Sequence, residues 1–112
     1  MAFIKNSDVP LETVAPGMTR QIMGHDSDLM LVVINFEKGG IGANHSHPHQ
    51  QVTYVVSGAF EVNIEGEKEI LRKGDAFVIP SKADHGAVCL EDGVLIDTFS
   101  PLREDFLEKK ES

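Results

Sequence analysis

Four of the five histidines in this chain stand where they could hold a metal ion: His45, His47 and His49 within Asn44-His-Ser-His-Pro-His-Gln-Gln51, and His85 well downstream. Imidazole is the commonest protein ligand for transition metals. Residues two apart on a strand project to one face, with Cα atoms roughly 6 to 7 Å apart. Two such rings can therefore reach one ion at about 2.0 to 2.1 Å. A third ligand has to come from elsewhere in the chain, and His85 is the candidate. Asp97 is the other residue that invites chemistry, because it interrupts the apolar run Val94-Leu-Ile-Asp-Thr-Phe99. A carboxylate buried there is costly without a partner or a task. Asp97 and Phe99 share strand parity, so both face the same way, and a carboxylate beside an aromatic platform suits acid/base work on a ring-shaped substrate.

The elements that must position these groups read as short strands. From Gly17 onward the chain is punctuated by glycine and proline, which indicates an all-β domain. Leu29–Phe36 is an apolar, partly β-branched run that predicts a mostly buried strand. Gln51–Val56 predicts a second strand ending at Ser57-Gly58, and Phe60, Val62 and Ile64 alternate with polar residues as a half-exposed strand does. Glu65-Gly66 predicts a tight hairpin turn into Lys68–Leu71, and Lys73-Gly74-Asp75 a turn into Ala76–Ile79. The loop Pro80–Asp84 delivers His85, Glu91-Asp92-Gly93 is read as a turn, and Val94–Phe99 is the last strand, ended by Pro101. Leu102, Phe106 and Leu107 could form an apolar stripe on a short helix in the charged tail to Ser112. Strands at this spacing favour a small barrel or double-sheet jelly roll.

With 112 residues, the chain is expected to form one domain over residues 1–112. Its net charge of -8, with no basic run longer than a pair, argues against nucleic acid and anionic membrane as partners. An anionic small substrate remains compatible, because a bound cation and one or two arginines dominate the field inside a pocket. Arg20 and Arg103 are candidate carboxylate clamps on that ground, or equally surface charges. The single cysteine, Cys89, excludes an intrachain disulfide and is read as a small buried hydrophobe. No basic-then-apolar leader and no long apolar stretch is visible, so a cytoplasmic location is expected.

Residues 39–58 resemble the first signature of the cupin superfamily, Gly-x(5)-His-x-His-x(3,4)-Glu-x(6)-Gly, with Gly39, His45, His47 and Gly58 in register. Residues 74–89 are similar to the second, Gly-x(5)-Pro-x-Gly-x(2)-His-x(3)-Asn, matched by Gly74, Pro80 and His85. A lone histidine is more often a satisfied core or surface group; a set in register with these glycines and Pro80 is not read so. Lys82 stands where the second signature has glycine, and Cys89 where it has asparagine. Gln51 occupies the glutamate ligand position and shares the parity of His45 and His47, which Gln50 does not. A neutral amide leaves a divalent ion its full charge and makes it a stronger Lewis acid. The signature has no ligand at His49, which follows Pro48, so His49 is read either as solvent-exposed or as lying behind the ligands or facing substrate.

Over most of the chain the likeness is closer, and Leu90-Glu-Asp-Gly-Val-Leu-Ile-Asp-Thr-Phe-Ser-Pro-Leu-Arg103 in particular resembles the KdgF family of pectin and alginate degradation. That resemblance implies a small single-domain cupin β-barrel that linearises 4,5-unsaturated monouronates to open-chain keto acids. It implies one divalent transition metal ion (zinc, nickel, iron or manganese) on His45, His47, Gln51 and His85. It assigns catalysis to Asp97, Phe99 and Arg103, leaves Arg20 and His49 as further substrate contacts, and implies a homodimer. The competing readings are a three-histidine iron dioxygenase and a non-catalytic sugar-binding cupin.

Overall fold

Along Met30–Phe36, here β3, side chains alternate between two environments: Met30, Val32, Ile34 and Phe36 are buried and Leu31 is exposed. Opposite-facing neighbours in an extended chain produce that period. The apolar run had suggested a mostly buried strand; in fact its outer face is partly open. The computed structural model describes residues 2–107 and has eight strands among them. The others are β1 Glu12–Ala15, β2 Met18–His25, β4 Ile41–His45, β5 Gln50–Ile64, β6 Glu67–Arg72, β7 Ala76–Ile79 and β8 His85–Ser100. A 3-10 turn at Asn6–Asp8 precedes them, and one helical turn, α1 Glu104–Leu107, follows.

Every pairing among the described residues is antiparallel. The order is β1-β2-β3-β8-β5-β6, with β4 beside β8 and β7 beside β5. Strands β5 and β8 are long enough to serve both layers. Gln50–Val55 lies opposite Leu95–Ser100, and Phe60–Ile64 lies opposite His85–Cys89. The second half of β8 is flanked by β3 and its first half by β4. A rolled, all-β barrel of the expected kind results.

Two expected turns are instead bends within continuous strands. The register of β5 against β8 slips at Val55/Ser57, Ser57/Ala59 and Ala59/Phe60, the mark of β-bulges. Gly58 sits at this bend with φ +83°, and a Cβ there would lie 2.6 Å from Asp92 O and from the Gly93 Cα. The two backbones approach too closely for any side chain. Glycine therefore allows the strands to fold over without separating. Strands β1, β2 and β4 were not anticipated: β1 is a four-residue edge, β2 interleaves Arg20 and Gln21 with apolar residues, and β4 is short and contains glycine. The β5–β6 hairpin turns as expected, through Glu65 and Gly66 at φ 50° and 85°.

Between the layers Phe36, Phe60, Val55, Val62, Leu95 and Phe99 form the core with Met30, Val32 and Ile34. Phe36 and Phe60 meet edge to face at 5.1 Å, the favoured aromatic geometry. Cys89 belongs to this core; burial raises its thiol pKa, and its S–H donates to Glu91 O at 2.9 Å. It is the small hydrophobe expected. In the tail, Leu102 and Phe106 pack on the core while Leu107 is exposed, so the expected stripe narrows to one helical turn. The remainder of that predicted helix, residues 108–112, lies outside the described residues. No helix among those described is long and apolar enough to cross a membrane.

Gly58 and Gly66 both have positive φ, but a Cβ at Gly66 would meet nothing within 4 Å. Gly66→Ala should therefore cost only backbone strain, about 1 to 3 kcal/mol. Gly58→Ala adds the collision with β8 and should cost clearly more. Urea denaturation of both variants checks this, and equal costs would show that the close approach is not needed.

Candidate metal centre

His45 ends β4 and His85 begins β8, and the two are paired across the strands. His47 is not on the strand face assigned to it, because β4 stops at His45 and His47 lies in the bend leading to β5. The loop 80–84 holds that bend. Lys82 N–H donates to His47 O at 2.7 Å, and the Ser81 hydroxyl donates to Pro48 O at 2.6 Å. Lys82 has φ 69°, so it adopts the left-handed conformation for which the signature keeps glycine. The three imidazoles converge, with ring centroids 4.4 Å apart for His45 and His85 and 4.8 Å for His47 and His85.

Each ring is oriented by the main chain. Nδ1 of His45 lies 2.9 Å from Ala43 O, that of His47 3.0 Å from His49 O, and that of His85 2.9 Å from Ala83 O. A carbonyl only accepts, so Nδ1 carries the proton in all three and Nε2 presents its lone pair. Ligand atoms of the three side chains lie within 4.8 Å of one another. Burial lowers the pKa of His47, with Arg103 adding to the effect, and burial likewise lowers that of His85, with His45 adding. Both are thus neutral and ready to ligate at pH 7.

Gln51 begins the inward row of β5. Its Oε1 lies 3.0 Å from His47 Nε2, which has no proton to donate once Nδ1 holds it. Two buried acceptors facing each other at that distance are what a cation between them would reconcile. The donor set of three imidazoles and an amide oxygen fits a divalent transition metal ion and discriminates poorly among zinc, nickel, iron and manganese. Gln50, by contrast, is exposed.

Asp97 and Phe99 line the same cavity as His45, Gln51, His85 and Arg103. The Asp97 carboxylate is buried and has no arginine partner; the Thr53 hydroxyl donates to it at 2.6 Å. Burial pushes its pKa from 3.8 to about 6, against the opposing effects of Thr53, Gln51, Arg103 and His45. Arg103 is buried over the rings of Phe99 and Phe106, at 5.2 and 4.2 Å from their centroids. Its Nε and one terminal nitrogen donate to Asp105, a bidentate pair that holds the Asp105 carboxyl below the usual range. As a carboxylate clamp it therefore has only part of its fork free. Arg20 stacks on Phe106 at 4.2 Å from the ring centroid and lines a neighbouring pocket that shares His45, Arg103 and Phe106 with the cavity. Phe106 is thus gripped between two guanidinium groups. The His49 side chain does not line the cavity: its Nε2 lies 3.3 Å from Glu104, and what it contributes is the carbonyl that orients His47. Thr53 and Phe106 were missed in the sequence. The inward parity shared with Gln51 was the available signal for Thr53; Phe106 was read only as part of an apolar stripe, and nothing local placed it at the cavity.

A family model described as the cupin domain matches residues 32–98. The pectin degradation protein KdgF of Dickeya dadantii (strain 3937) is 50% identical over 104 residues, 91% of this chain and 94% of that protein. The solved structure of KdgF from Halomonas sp. superposes with a TM-score of 0.90 at 48% identity, over 95% of this chain and 98% of that one. An RmlC-like cupin from Shewanella frigidimarina NCIMB 400 gives 0.91 at 47% identity, over 95% and 96%.

Because the folded-state pKa of Asp97 lies above its ordinary value, ionising this group costs the fold stability. The contribution is complete below pH 3.8 and is lost as pH rises through about 6. In metal-free protein, Asp97→Asn should therefore melt several degrees higher than wild type at pH 8, for a gain of up to about 3 kcal/mol. The two melting temperatures should converge below pH 4. A constant difference across that range would show that burial does not strain the carboxylate.

Proposed function

We propose that this chain, which belongs to the cupin family and within it to the KdgF family, is a metal-dependent enzyme that linearises 4,5-unsaturated monouronates. One observation carries the reading: three imidazoles and a neutral amide converge beside the cavity that Asp97 and Phe99 line. Bound there by His45, His47, Gln51 and His85, a divalent ion would supply Lewis-acid stabilisation of negative charge on the substrate.

The chain's own residues account for the rest. An unsaturated uronate carries a C1 hydroxyl, a ring oxygen attached to the C4=C5 bond, and a C6 carboxylate. The Asp97 carboxylate takes the C1 hydroxyl proton. C1 then becomes a carbonyl, the bond from C1 to the ring oxygen breaks, and that oxygen leaves as an enolate at C5. Protonation of C4, with Asp97 returning the same proton, converts the enolate to a ketone, so the product is an isomer and no electron acceptor is needed. A pKa raised toward 6 suits a group that must accept and then release one proton near neutrality. Phe99 offers its face to the sugar ring. The buried Arg103 guanidinium brings positive charge to the cavity wall and attracts the substrate carboxylate.

Pairing with a second copy belongs to the same reading. Val52, Tyr54 and Val78 point outward from adjacent strands and are about half or more exposed, at 47%, 48% and 64%. Two chains of net charge -8 repel one another except where they present an uncharged face. This apolar patch is such a face, and an isologous dimer would cover it twice.

Metal-loaded protein mixed with lyase-generated unsaturated monouronate should accelerate loss of the alkene absorbance without consuming oxygen. No acceleration over buffer defeats the proposal, and oxygen uptake would favour a dioxygenase. Asp97→Ala should slow the reaction by roughly 10² to 10⁴-fold with metal content unchanged. For the dimer, light scattering should give twice the chain mass for wild type and the single chain mass for Tyr54→Glu. A monomeric wild type would refute the pairing.

A further inference from the structure

A buried line of hydrogen bonds joins the candidate metal ligand Gln51 to Asp97, and Thr53 is its middle member. Gln51 Nε2 donates to the Thr53 hydroxyl at 2.9 Å, and that hydroxyl donates to Asp97 Oδ1 at 2.6 Å. Thr53 is fully buried, and the strand register sets it directly opposite Asp97 as it sets Gln51 opposite Phe99.

The direction of this line is dictated by proton count. A hydroxyl has one proton, and an ionised carboxylate can only accept it. With that proton given to Asp97, the Thr53 oxygen can only accept from its other neighbour. The neighbour must then be the –NH₂ side of the Gln51 amide. Its carbonyl side is forced the other way, toward His47 Nε2 at 3.0 Å. An amide flipped by 180° would bring two acceptors together at Thr53 and aim hydrogens at the imidazoles.

We infer that Thr53 is a positioning residue that fixes the Gln51 amide with its oxygen toward the metal site, and that this is why glutamine rather than glutamate suits position 51. A glutamate there would set two carboxylates against one hydroxyl proton. The inference rests on the reading of Gln51 as a metal ligand. It assigns to Thr53 no contact with metal or substrate.

Zinc is the probe, with its dissociation constant measured by competition against a chromophoric chelator and folding checked by thermal melting. Thr53→Val should weaken zinc binding by about ten-fold or more, the usual effect of losing a group that orients a ligand. Thr53→Ser, which keeps the hydroxyl, should bind as wild type does. Gln51→Ala should weaken binding at least as much, and Thr53→Val added to it should cost nothing further, since Thr53 acts through the amide. If Gln51→Ala weakens binding but Thr53→Val does not, the inference fails and the ligand reading stands. If Gln51→Ala binds zinc as wild type does, the ligand reading itself fails. Should Thr53→Val lose its cooperative melt, Thr53→Ala replaces it, and equal zinc binding by the Ala and Ser variants overturns the inference.

Discussion

The antiparallel pairing of β5 with β8 is the constraint on which the rest of this molecule depends. It runs from Gln50 opposite Ser100 to Ile64 opposite His85, through a bend, so one ladder spans both layers of the barrel. On its inner face, Val55, Phe60 and Val62 fill the core from one strand, and Cys89, Leu95 and Phe99 from the other. Gln51, Thr53 and Asp97 stand in the same inward rows. Because the side-chain period is two, a slip of one residue would turn core and site outward together. Packing energy thereby enforces the geometry of the polar groups. Burial of Val, Leu and Phe side chains, about 1.5 to 3 kcal/mol each, holds residues that gain little from being buried themselves.

The electrostatics of the site follow from this imposed burial. Asp97 lies inside because its strand lies inside, and its carboxyl responds by holding its proton more tightly than an exposed aspartate. The same desolvation keeps His47 and His85 neutral. A low-dielectric cavity with neutral ligands and one ionisable acid concentrates charge in few places. Arg103 is the cation on the wall, and Asp105 already engages part of its fork, so its charge is held in position rather than free to collapse onto Asp97.

Much of this was legible in the residues, for identifiable reasons. The alternation of Phe60, Val62 and Ile64, the Glu65-Gly66 turn and the shared parity of Asp97 and Phe99 are local patterns, and local patterns survive folding. The convergence of His45, His47 and His85 was anticipated from spacing and signature, but the reason given for His47 was only partly right: a bend places it, not a strand. Ser57-Gly58 and Glu91-Asp92-Gly93 were read as turns because turn and bulge use the same residues. Only the partner strand decides which forms. Strands β1, β2 and β4 were missed because their polar and glycine residues are tolerated at positions defined by neighbours distant in sequence. The place of Phe106 at the cavity and the Glu104 contact of His49 depend on where a single helical turn docks, which the apolar stripe of Leu102 and Phe106 does not specify.

The imidazoles take their orientation from the carbonyls of Ala43, His49 and Ala83, and every residue has a carbonyl. A point mutation at those three positions can change a side chain but cannot delete the acceptor. The tautomer of each ring is therefore insulated from most of the variation a gene accumulates, while the cavity wall at Phe99, Arg103 and Phe106 is built of side chains and is fully exposed to it. Ion platform and specificity wall are in this sense separately heritable. A lineage could redraw the wall at Arg103 and Phe106 many times over without disturbing how the three imidazoles are aimed.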